Sequence, residues 1–189
     1  MTMDRRSIPN GSQTVGPFFR IGLEYLEART PVLAPGMPAR IEIRGQVLDR
    51  DGAPVPDALL EFWCADSSGA YSGEAPDAQG YPAGFHRVST EIDGSFSLIA
   101  MKPGPVPFDD GRMQTPHMLV LVFARGLLRH LVTRVYFDGE PGNAADPVLL
   151  EIAEERRSTL IARRDGRESA AFRWNVILQG EEETVFFAT

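Results

Sequence analysis

The sequence predicts a mainly β protein, an antiparallel β-sandwich with long loops and one or two short helices. Three features predict it. Apolar runs of strand length recur along the chain, separated by turns rich in Gly, Pro and Asp. Along a run such as TPHMLVLVF (115–123), alternation puts His117, Leu119, Leu121 and Phe123 on one side. Helical spacing is confined to GPFFRIGLEYLE near the start and PVLLEIAEERRSTLIARR at 147–164.

In order, residues 1–40 form an irregular arm, because Gly11, Gly16, Pro17, Pro31, Pro35, Gly36 and Pro38 interrupt any period. A single core domain occupies 41–189. IEIRGQVLD (41–49) is a strand, and RDGAPVPDA is a turn built on Asp-Gly and two prolines. ALLEFWCAD (58–66) is the next strand, followed by the long polar loop SSGAYSGEAPDAQGYPAGFH. EIDG turns the chain into the strand SFSLIAMK, and PGPVPFDDGRMQTP is a second loop. HMLVLVFAR (117–125) and HLVTRVYFD (130–138) flank the short connection GLLR. The stretch 147–164 forms one or two short helices, and AAFRWNVILQG (170–180) is the last strand.

The chain has 189 residues, enough for one domain with a sizeable core. A net charge of -7 argues against nucleic acid as the main partner. Cys64 is the only cysteine, which excludes an internal disulfide and fits a reducing compartment, so a cytoplasmic location is expected. The opening MTMDRRSIPNGSQTVG is polar rather than signal-like, and no apolar run approaches the roughly 20 residues of a membrane helix.

His117 opens an apolar strand. Alone, such a histidine is most often structural. A His-x-His pair would aim two imidazoles at one point, but the second position here is Leu119, which cannot bind a metal. Tyr71 sits in the Gly-rich GAYSG; a phenolate there could bind a hard ferric ion only with partners. PGPVPF (103–108) is a proline-stiffened loop with the inert Val106 at its centre. His86 and His130 are isolated, and neither a nucleophile elbow nor a phosphate-binding glycine loop occurs.

Taken together, VPDALLEFWCADSSGAY, EIDGSFSLIAMKPGPVP, TPHMLVLVF and LVTRVYFDG resemble the intradiol ring-cleaving dioxygenases, in the family's own order and over about residues 10–180. The resemblance implies a β-sandwich and a ferric ion held by two tyrosines and two histidines in the catalytic chains. Tyr71 and His117 stand at two of those ligand positions. Val106 and Leu119 replace the other two. This chain is therefore expected to bind no metal, to contain no catalytic residue of its own, and to be inactive alone. Tyr71 and His117 are remnants of a site.

In hetero-oligomeric members, related alpha and beta chains pair about a pseudo-twofold axis, and Fe(III) lies in the beta chain near the interface. The resemblance implies such a homologous catalytic beta subunit as partner, with the arm 1–40 contributing to the interface and several pairs assembling further. It implies O2-dependent cleavage of 3,4-dihydroxybenzoate (protocatechuate) to 3-carboxy-cis,cis-muconate. Substrate contacts are expected from Thr14, Gly16 and Pro17 in QTVGPFF and from Arg134 in HLVTRVYFDG. Gly-Pro is otherwise a turn that buries Phe18 and Phe19. A mid-strand arginine ordinarily faces solvent, but one reaching a substrate carboxylate would supply a charge-assisted contact. Competing readings are a self-sufficient enzyme with an unusual site and a non-enzymatic β-sandwich binding module.

Overall fold

The computed structural model describes residues 11–16, 18–23, 40–71, 84–166 and 170–188. The chain is mostly β with short helices. Its strands are β1 (Arg40–Leu48), β2 (Leu59–Trp63), β3 (Phe85–Ser89), β4 (Ser95–Met101), β5 (Val106–Pro107), β6 (Met113–Gln114), β7 (His117–Phe123), β8 (Leu131–Phe137), β9 (Ile161–Arg164), β10 (Ala171–Arg173) and β11 (Val176–Ile177). The helices are α1 (Phe18–Leu23), α2 (Pro147–Glu151) and α3 (Glu154–Arg157).

Alternation builds the core. Ile41, Ile43 and Val47 of β1 point inward, as do Phe96, Leu98 and Ala100 of β4. Met118, Val120 and Val122 of β7 meet them, with Leu60 and Phe62 of β2 and Val135 and Phe137 of β8. The Phe62 and Phe96 rings lie 6.3 Å apart and those of Phe137 and Phe172 5.2 Å apart, so both halves of the sheet share one core. Each large side chain buried this way contributes about 2–3 kcal/mol.

Nine strands form one sheet in the order β11-β1-β10-β9-β8-β7-β2-β3, with β4 paired to β1. The pairing is not antiparallel throughout. β1 runs parallel to β10 and β11, and β8 runs parallel to β9. β9 also pairs antiparallel with β10, and so joins the two halves into a nearly closed sheet.

Four local expectations change in part. The segment 147–164 yields the two expected short helices, α2 and α3, parted where Ile152 and Ala153 leave the helical region, but after a 3-10 turn at Ser158–Leu160 it ends as β9. The strand expected over 170–180 is broken at Trp174–Asn175 into β10 and β11. The polar loop after β2 gives way to β3 at Phe85, and the loop 103–116 carries the small hairpin β5–β6. Near the start, α1 falls where a short helix was expected, but it buries little. Phe18 is 79% exposed, while Phe19 packs on Phe123 with ring centroids 5.5 Å apart.

Candidate functional site

The outer face of β7 and β8, turned away from the core, carries the residues of interest. Register sets His117 opposite Tyr136, Leu119 opposite Arg134, and Leu121 opposite Val132. Trp63 of β2 pairs with Leu119 from the other side, so Trp63, Leu119 and Arg134 form a row across three strands. Inward neighbours anchor this row: Met118, Val120, Thr133 and Val135 are fully buried.

Two loops close over one end. Asp66 organises the first, its Oδ1 accepting from Ser68 N at 2.8 Å and Ala70 N at 3.0 Å, which brings the chain to Tyr71. The PGPVP loop lies against it, with Gly104 N donating to Asp66 O at 2.8 Å. The approach is backbone to backbone: a Cβ on Gly104 would sit 2.5 Å from Ser67 O, so glycine is required there. Two segments some distance apart in sequence, carrying Tyr71 and Val106, thus converge. Tyr71 is exposed and Val106 is buried in β5 opposite Gln114.

His117 is buried. Its Nδ1 lies 2.8 Å from Thr115 O, and since a carbonyl only accepts, Nδ1 carries the proton. Its ring faces Tyr136 at 5.4 Å. Burial, and secondly the Arg134 charge, pull its pKa down from 6.5 to about 4, against the opposing Thr115 bond. The imidazole is therefore neutral at pH 7.

That shift has a measurable consequence. Between pH 6.5 and 4 the unfolded chain takes up a proton at His117 that the folded chain refuses. Stability is then lost as pH falls through this window, by about 3 kcal/mol from this residue. Half-buried His86, also shifted downward by desolvation, acts in the same direction. His117→Asn should flatten the fall in urea-melt stability between about pH 7 and about pH 5. Equal slopes in the two proteins would refute the assignment.

Arg134 is the centre of the polar network. Its Nη1 donates to Gln114 Oε1 at 2.7 Å and to Tyr136 Oη at 3.3 Å. The guanidinium lies 5.8 Å from the Phe187 ring centroid. Its charge acts on Tyr71, His117 and Tyr136 alike. Burial raises the Tyr136 phenol well above its usual value and raises that of Tyr71 too, with Arg134 opposing both shifts. Tyr136 Oη donates to Asp146 Oδ1 at 3.4 Å. Asp146 is fully buried and caps α2, its Oδ1 accepting from Val148 N and Leu149 N at 2.9 Å each. Its Oδ2 accepts from Thr115 N at 2.8 Å, tying the start of β7 to the start of α2.

This donor set does not fit a ferric ion. A hard trivalent ion needs several anionic or neutral O and N donors. Here Leu119 and Val106 offer hydrocarbon and a guanidinium adds a competing positive charge, while His117, its Nδ1–H bonded to Thr115 O, has only the Nε2 lone pair to give. Among the described residues no group of three or more His, Cys, Asp or Glu is placed to hold a metal.

The structure groups Arg134, His117, Leu119, Val106 and Tyr71 and leaves Thr14 apart from them. Thr14 Oγ1 accepts from Gly126 N at 2.6 Å, beyond the end of β7 opposite to His117. Gly16 is exposed with nothing within 4 Å of a Cβ placed on it, so this chain itself does not demand glycine there. Pro17 lies outside the described residues. Sequence reasoning missed Gln114 and Asp146. Asp-Pro before an apolar run signals a helix cap at Asp146, but no local signal announces its bond to Thr115.

A family model described as Dioxygenase matches residues 26–180. The chain is 41% identical to a protocatechuate 3,4-dioxygenase alpha chain from Burkholderia cepacia, over 93% of this chain and 95% of that one. It is 29% identical to the beta chain from the same organism, over 77% of this chain and 66% of that one. Among solved structures, the dioxygenase domain of a carbohydrate-binding fusion protein from Streptomyces sp. SirexAA-E superposes with a TM-score of 0.62 at 25% identity, covering 95% of this chain and 96% of that one.

Proposed function

The chain belongs to the Dioxygenase family of intradiol ring-cleaving enzymes, and from that premise we propose that it is the metal-free alpha subunit of a hetero-oligomeric protocatechuate 3,4-dioxygenase. Its partner is the homologous beta chain, which holds the Fe(III). Together they cleave 3,4-dihydroxybenzoate with O2, between the hydroxyl-bearing carbons, to 3-carboxy-cis,cis-muconate. The chain alone is inactive.

The observation that carries this reading is the mixture of kept and lost donors around one arginine. Tyr71 and His117 stand where a metal site would need them, yet Val106, Leu119 and the Arg134 charge make the same place unfit for iron. Arg134 then serves as an anion contact. In this reading its guanidinium binds the substrate carboxylate at the shared interface. The arm, 1–40, covers the partner, and Thr14, Gly16 and Pro17 approach the substrate there. The open space around Gly16 supports that role, since a partner's ligand can come close to its bare backbone. The folded sheet, with its two halves on one core, is a β-sandwich in this reading. Alpha–beta pairs assemble further. No helix among the described residues is long and apolar enough to cross a membrane, and we place the complex in the cytoplasm.

Elemental analysis tests the assignment. The chain purified alone from iron-replete cells should carry no stoichiometric iron, and the complex about one iron per pair, the ratio that one intact ligand set per pair gives. Tightly bound iron in the lone chain would overturn the reading.

A further inference from the structure

We infer that Gln114 is a specificity-determining positioning residue, which fixes the Arg134 guanidinium while leaving its charge uncancelled. The inference rests on the reading that Arg134 meets the substrate carboxylate. Both hydrogen-bond partners of Arg134 are neutral: the Gln114 amide oxygen at 2.7 Å and the Tyr136 hydroxyl at 3.3 Å. Several other arginines of this acidic chain are ion-paired, whereas Arg156 and Arg157 donate to backbone carbonyls. Arg20 pairs with Asp57, Arg44 with Glu42, Arg87 with Glu61 and Arg112 with Asp110. Among the described residues no carboxylate lies within 4.0 Å of Arg134, although the sequence holds 26 acidic residues. The nearest acid in its network, Asp146, stands one hydroxyl away behind Tyr136 and already accepts from three backbone N–H groups.

Gln114 is itself held. It is buried, its backbone pairs with Val106 in the β5–β6 hairpin, and its Nε2 donates to Pro107 O at 3.3 Å. Arginine has only donors, so the amide must present its oxygen to Arg134 and its nitrogen to the carbonyl. The bracket is thus polar, directional and uncharged. A glutamate of the same length would place a carboxylate on the guanidinium, and the pair would neutralise itself in place of a bound anion. Neutrality at position 114, rather than hydrogen bonding alone, keeps the arginine available.

The test uses the assembled alpha–beta complex and two ligands that differ by one charge. KM is measured for 3,4-dihydroxybenzoate, and the competitive inhibition constant for 1,2-dihydroxybenzene, which lacks the carboxylate. The ratio of the two apparent affinities reads charge recognition alone. Arg134→Ala should shift that ratio against the acid by roughly 10- to 100-fold, as loss of a charge-assisted contact does. Gln114→Glu should shift it in the same direction by a comparable factor with Arg134 still present. Gln114→Met, similar in length and uncharged, should shift it by only about a few-fold, through a loosened guanidinium. If Arg134→Ala leaves the ratio at the wild-type value, the carboxylate reading fails. If Arg134→Ala shifts it and Gln114→Glu does not, or weakens both ligands equally, the role of Gln114 is refuted and the carboxylate reading stands. If Gln114→Glu does not assemble, a wild-type ratio in Gln114→Met refutes the positioning role.

Discussion

Asp146→Ala is expected to destabilise the folded chain by about 3–5 kcal/mol. The carboxylate is fully buried and accepts four hydrogen bonds from three separate places: the start of β7, the start of α2, and Tyr136 on β8. Alanine leaves the amides of Thr115, Val148 and Leu149 without that partner. A lost helix cap costs about 0.5–2 kcal/mol, and an abandoned buried N–H costs about 1–3 kcal/mol. Some relaxation of the α2 end keeps the total below the simple sum. Asp146→Asn should lose less, because one oxygen can still cap α2, although its NH2 then opposes the Thr115 amide. Urea unfolding of the purified chain would register the change as a lower midpoint at constant slope. A loss under about 1 kcal/mol for the alanine variant would mean that the loops relax freely and that Asp146 does not organise the site. The same substitution removes the acceptor behind Tyr136, so it should also loosen Arg134 and reduce discrimination between charged and uncharged catechols in the complex.

Gly45→Ala carries the second large effect. Gly45 lies in β1 opposite Phe96 of β4. A Cβ there would fall 1.6 Å from Trp174 O, 2.7 Å from the Trp174 carbonyl carbon and 2.9 Å from the tip of the Phe96 ring. The obstruction is backbone, and that backbone is held: Trp174 N donates to Arg44 O at 2.8 Å, and Asn175 Oδ1 accepts from Gln46 N at 3.0 Å. The methyl can be accommodated only by prising β10 and β11 from β1. A loss of about 3 kcal/mol or more is expected, at the upper end for overpacked sites. Gly16→Ala is the natural control, because a Cβ at Gly16 meets nothing and the chain's stability should move by less than about 0.5 kcal/mol. Equal stability of the two variants would show that β1 and β10 separate at little cost.

Much of this protein is legible locally. Alternation along TPHMLVLVF correctly puts His117, Leu119, Leu121 and Phe123 on one face, and alternation along HLVTRVYFD puts Arg134 with Val132 and Tyr136. Both follow from the two-residue repeat of an extended chain, which needs no knowledge of neighbours. Side-chain chemistry is legible as well: Val106 and Leu119 are hydrocarbon in any fold. The helix-like run at 147–164 does form two short helices, but spacing cannot show where β8 waits for a parallel partner, and β9 forms at its end by pairing Tyr136 with Ile161. The Gly/Pro-rich stretch before Phe85 hides β3, whose five residues gain a ladder from β2, a distant segment in sequence.

Sequence alone therefore determines the β class, most strand positions, the faces of β7 and β8, and the hydrocarbon character of Val106 and Leu119. Each depends on covalent geometry or on side-chain chemistry that travels with the residue. Only the tertiary structure decides that β1 runs parallel to β10 with no room for a side chain at Gly45. It alone decides that Gln114, Tyr136 and Asp146 converge on Arg134. Those relations join segments brought together by packing of the whole sheet, and whether a polar group is capped, paired or left available depends on what the far segment carries.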